Sequence, residues 1–150
     1  MSEVNTATRT AGPSPASRLA RVRLASFGAV TMLIIEFVLG MIYNLYGTAP
    51  TASKSIGLFS SPVLALHVVM SILLLVAAVM LLVRAIGARR RLTIWMSALG
   101  LAAIIAAGFA GLGFTRDGAA GASLGMSLAF AVSLACYVVI ILASASPSTT

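Results

Sequence analysis

PVLALHVVMSILLLVAAVMLLVRAI, residues 62–86, carries one ionisable side chain, His67, before Arg84 near its end. A helix over these 25 residues is about 37 Å long at 1.5 Å per residue, enough for a hydrocarbon core of about 30 Å. The stretch has neither the two-residue alternation of a barrel strand nor the charged stripe of a helix that faces water. Lipid offers the backbone no hydrogen bonds, so a segment inside it must satisfy its own N–H and C=O groups, which a helix does.

Three further runs repeat the pattern, Leu24–Tyr46, Leu92–Phe114 and Ala122–Ala143. Hydrophobic residues make up 60% of the 150-residue chain and charged residues 9%, against roughly 25% charged in an ordinary soluble domain. The expected fold is therefore an all-α membrane protein, a four transmembrane helix bundle over residues 23–143 with spans 24–46, 62–86, 92–114 and 122–143. Residues 1–22, rich in Ser, Thr, Ala and Pro, read as a disordered tail, and 144–150 as a short C-terminal tail. The first apolar run is longer than the 7–15 residues of a signal-peptide core, so it reads as a retained helix.

Orientation follows from the basic residues. Arg9, Arg18, Arg21 and Arg23 precede the first span, while Arg84, Arg89, Arg90 and Arg91 surround the turn between the second and third. The other two loops hold only Lys54 and Arg116. The positive-inside rule then places the N-terminus, the arginine turn and the C-terminus in the cytoplasm. Tyr43, Tyr46 and Phe114 fall at outer helix ends and Trp95 near an inner one, as amphipathic rings do at membrane interfaces. The net charge of +7 sits in clusters beside apolar runs, not in a stripe interleaved with aromatics, which argues against nucleic acid as a partner. The single cysteine, Cys136, lies within an apolar run and reads as a small filler. Arginine in place of lysine and abundant alanine point to a GC-rich bacterial genome and thus to a bacterial plasma membrane.

Polar groups inside lipid are costly and mark function unless packing accounts for them. Glu36 lies near mid-membrane in the first span, on a face shared with Gly40, Tyr43 and Asn44. Its functional reading is a proton-carrying or cation-binding carboxylate; the plainer one is a protonated side chain bonded to a neighbouring helix. His67, with Ser71, Leu74, Ala78 and Ala85 on its face, reads as a proton relay or a haem ligand, or more plainly as a neutral histidine bonded to Tyr43 or Asn44. Counting inward from the loop that joins the first two spans sets His67 level with Gly40–Tyr43, and Ser71 level with Glu36 and Phe37. The expected ligand or proton site is thus a seam of Glu36, Tyr43, Asn44, His67 and Ser71, with Glu36 bonded to Ser71 or a backbone carbonyl. No cofactor is expected, haem b on His67 being the alternative, and no metal site otherwise. In the third and fourth spans, Ala98, Ala102, Ala106 and Ala110, then Ala103, Ala107 and Gly111, and Gly125, Ala129 and Ser133 recur at four-residue spacing, a pattern for close helix approach. No nucleotide-binding glycine loop, zinc motif or nucleophile elbow occurs.

EFVLGMIYNLYG from Glu36, the early His67 of the second span, AGFAGLGF ending the third and SLGMSLAFAVSLACY in the fourth carry a likeness. On these pieces the chain resembles a loosely defined, largely uncharacterised group of small four-helix integral membrane proteins of GC-rich bacteria. That group leads one to expect a polar residue where Ala110 stands. The resemblance implies the four-helix fold and no activity. The expected role is a non-enzymatic structural or accessory membrane protein, embedded in the lipid bilayer and assembled with itself or a larger complex. The alternatives are a small proton-coupled transporter using Glu36, and a haem- or quinone-linked redox protein using His67.

Overall fold

A computed structural model describes residues 14–48, 50–51 and 53–145. They form four helices, α1 (Pro15–Tyr46), α2 (Pro62–Ala88), α3 (Arg91–Asp117) and α4 (Ala120–Ala145), and no β-strand is found among the described residues. All four are long and apolar enough to cross a membrane. The chain is a small multi-pass membrane protein.

Local chemistry sets the helix ends. Ser14 and Ser61 occupy the N-caps of α1 and α2, each accepting a backbone N–H three residues on, from Ser17 and Leu64, at 3.2 Å. Pro15 and Pro62 follow at the first helical position, where the missing N–H costs nothing. α2 ends at Arg89, held in the left-handed region at φ 57°, a conformation that costs a non-glycine residue about 1–2 kcal/mol. α3 ends on Gly118 at φ 70°, whose N–H returns to Phe114 O at 2.8 Å.

α1 starts at Pro15, so residues 15–22 are helical and not part of a disordered tail; residues 1–13 lie outside the described residues. With 32 residues α1 is about 48 Å long, and its first turns, carrying Arg18, Arg21 and Arg23, exceed the apolar run. The serine cap and proline start a helix that the Ser/Thr-rich composition had concealed. α4 likewise runs on to Ala145; residues 146–150 are outside the described residues.

The helices form a ring in chain order, each packed on two neighbours. Arg18 of α1 donates to Gly87 O at the end of α2 (3.3 Å), and Arg90 donates to Ala143 O near the end of α4 (2.9 Å). These bonds gather the start of α1, the α2–α3 turn and the end of α4 at one end, here called the arginine end. They also set cations against helix C-termini, whose last carbonyls lack intrahelical donors.

Toward the arginine end the apolar core is formed by Val22, Ala29 and Leu33 of α1, Leu74, Ala78 and Leu81 of α2, and Tyr137 and Ile140 of α4. Large apolar side chains cover the outside instead, among them Ile72, Val76, Val83, Trp95 and Phe109. That inversion suits a protein whose surroundings are as apolar as its core. The two alanine stripes of α3 are not equivalent. Ala103 is buried and Gly111 lies against Met126 of α4, whereas Ala102 and Ala106 are exposed. Ala102 and Ala106 therefore do not mediate close approach, whereas Ala110, at the end of their stripe, does. Gly125 fits against Ala110, where an added Cβ would sit 3.6 Å from the alanine methyl.

Candidate functional site

Glu36 of α1 and His67 and Ser71 of α2 come together. Ser71 Oγ donates to Glu36 Oε1. His67 Nδ1 stands 3.3 Å from the same oxygen, without the alignment of a hydrogen bond. The second carboxyl oxygen, Oε2, is buried and has no hydrogen-bond partner among the described residues. Gly40, one turn from Glu36, makes room for the imidazole; a Cβ there would lie 3.3 Å from His67 Cε1.

This geometry follows from spacing. His67 and Ser71 are four residues apart, so they share one face of α2 and bracket a single level of α1. Leu74, Ala78 and Ala85 continue that face and are buried, which turns His67 and Ser71 inward with them. The bonding of Glu36 to Ser71 agrees with the level count from the shared loop. The proposed partners of His67 do not. Tyr43 Oη donates to Thr48 O in the following loop (3.1 Å), and Asn44 is exposed. Both residues line the same cavity as Glu36 without touching the histidine through a hydrogen bond. Tyr43 is captured by the chain reversal after Tyr46, a bond that periodicity within the helix does not reveal.

The cluster opens into a cavity of about 490 Å³ in the half of the bundle away from the arginine end. All four helices line it, and Leu58 contributes from the loop between α1 and α2. Its walls are mostly apolar. Phe37 of α1 stacks on Phe130 of α4, ring centroids 4.7 Å apart and planes 24° from parallel, so Phe37 belongs to this site. Leu33, Leu74, Ile104 and Ser133 lie at the level where the cavity gives way to the packed core. An apolar chamber with one acid, one imidazole and one hydroxyl at a single point has the general make-up of a small-molecule pocket, apolar walls with a few polar groups.

Sequence reasoning missed Phe130, Tyr137, Ser97 and Gly100. Tyr137 and Ser97 are fully buried, and Tyr137 packs its ring on Gly100. The signal was available as the four-residue spacings Thr93–Ser97 and Ser133–Tyr137, polar positions recurring on one face of each apolar helix. Among the described residues, no three His, Cys, Asp or Glu side chains gather to hold a metal ion.

The chain matches no known protein-family model, no curated protein and no solved structure.

Proposed function

We propose that this chain, in a bacterial plasma membrane with both termini and the arginine end cytoplasmic, binds lipophilic molecules bearing a basic nitrogen. Glu36 gives up its proton as the cation arrives, the binding step of a small proton-coupled transporter. The carrying observation is the Glu36 carboxyl placed in a four-helix cavity with one oxygen engaged and the other unpartnered. An ionised carboxylate in such surroundings requires a cationic partner, so Glu36 holds a proton, pairs with a protonated His67 at 3.3 Å, or takes up a cation from the chamber. Cations also favour aromatic faces, and Phe37, Phe130 and Tyr43 line the chamber. A purely structural accessory role accounts less well for the site, because a glutamate that only joins two helices has no use for an apolar chamber in front of it.

Tetraphenylphosphonium, a permanent lipophilic cation, is the test ligand. Calorimetry on the purified protein in buffers of different ionisation enthalpy reads both binding and proton release. Wild type should bind and release a proton, and Glu36→Gln should do neither. Binding that persists unchanged in Glu36→Gln would refute the proposal. A Soret band in the gently purified protein would instead assign His67 to haem.

A further inference from the structure

Beneath the cavity, hydroxyl groups converge on Gly100. Ser133 Oγ shares its one hydroxyl hydrogen between Ala129 O at 2.9 Å and Gly100 O at 3.2 Å. The ring of Tyr137 rests on Gly100, where the position of an added Cβ is 3.1 Å from Tyr137 Oη. Ser97, one turn along the same face of α3, is fully buried. Neither Ser97 Oγ nor Tyr137 Oη has a hydrogen-bond partner among the described residues. Folded proteins seldom leave buried polar groups unsatisfied, and internal water is the usual partner where several polar atoms share one place. Here the polar atoms are two hydroxyls without partners, a serine hydroxyl and a backbone carbonyl.

The position of the cluster adds a second point. Ser133 lines the cavity that holds Glu36, so the upper edge of the cluster meets the chamber. On the other side, Thr93 lies one turn beyond Ser97 on the same face of α3, buried, close to the arginine end. Val22, Leu81 and Ile140 close the bundle interior around this level, so the hydroxyl run follows the α3–α4 seam. Facing Glu36, α2 brings His67 and Ser71, while α3 and α4 line the chamber without an acid or base.

We propose that the hydroxyls of Ser97, Ser133 and Tyr137 around Gly100 bind internal water, and that this water is the path by which protons pass between Glu36 and the arginine end. Each water or hydroxyl accepts one proton and passes on another, so the run is unchanged after each transfer and Glu36 gains or loses the net proton. The proton role rests on the reading of Glu36 given above; the hydration does not.

Two measurements separate the parts. X-ray hydroxyl-radical footprinting of the protein in nanodiscs generates radicals from water next to a side chain. Tyr137 should be modified despite its burial, at a rate comparable with exposed Tyr46, and less so in Ser97→Ala/Ser133→Ala. Modification of Tyr137 no faster than that of buried Leu81 would overturn the bound water. Stopped-flow mixing with tetraphenylphosphonium and a pH dye then reads proton release. Tyr137→Phe should keep the affinity and slow the release by about tenfold, the factor carried by one lost buried hydrogen bond. Release at the wild-type rate in Tyr137→Phe would mean that the proton leaves through the cavity mouth, and would overturn the path. Absence of proton release from the wild type would refute the role of Glu36 and the path together, leaving the footprint to decide the water.

Discussion

Gly100→Ala tests the close approach of α3 to α4. A Cβ at this position would come 2.6 Å from Tyr137 Cε1, 2.9 Å from Cζ and 3.1 Å from Oη. Tyr137 has no exposed surface and cannot swing aside without moving its neighbours Cys136 and Ile140 in the core. Overpacking of a filled core costs about 1–3 kcal/mol, and the rigidity of the ring places this site in the upper half of that range. Alanine recovers about 1 kcal/mol over glycine within a helix. The net expectation is a loss of about 1–2 kcal/mol. Gly28→Ala is the matched control: Gly28 lies within α1 with nothing within 4 Å of the added Cβ, so only the helix-propensity gain of up to about 1 kcal/mol remains. Reversible unfolding of both variants in bicelles, by steric trapping, measures the difference directly. Gly100→Ala as stable as Gly28→Ala would show that the Tyr137 ring does not rest on α3, and the hydroxyl cluster around Gly100 would fall with it.

Two further outcomes are expected. In a Cys136→Ala background, cysteine at exposed Ser53 should react in intact cells with a membrane-impermeant thiol reagent while cysteine at Ala88 should not; labelling at Ala88 alone would reverse the orientation. Gly125→Leu should destabilise the α3–α4 pair by about 1–3 kcal/mol through collision with Ala110, whereas lipid-facing Ala106→Leu should change stability by less than about 0.5 kcal/mol, and the same unfolding measurement would contradict this packing if the two costs were reversed.

The meeting of Glu36 and Ser71 is legible in the sequence because both helices leave the same loop. Counting equal rises from Tyr46 and Pro62 puts the two residues at one level, and the scarcity of polar groups in lipid leaves few partners to choose from. The partner of His67 was not legible by the same count. Gly40 lets the imidazole lean toward the carboxylate, and Tyr43 is drawn off by the carbonyl of Thr48 in an irregular segment. Helical periodicity carries no information about where a loop carbonyl will point. The start of α1 at Pro15 was hidden for a different reason: its first turns are capped and amphipathic, and a search for apolar runs passes over them.

Number, length and sequence of the spans are properties of the chain alone, since a run of some 20 apolar residues has one way to satisfy its backbone in lipid. The in-plane rotation of each helix is another matter. In water, a hydrophobic face declares which side of a helix is buried; in a bilayer, both sides of α3 are apolar and both alanine stripes fit a neighbour equally well on paper. The choice of Ala103 and Gly111 over Ala102 and Ala106 came from packing against α4. That same rotation set Tyr137 on Gly100, brought Phe130 to Phe37 and opened the chamber in front of Glu36. The hydrophobic effect fixes insertion, but with lipid as apolar as leucine it does not distinguish one helix face from another; shape and a few polar contacts do, and these exist only once all four helices are in place.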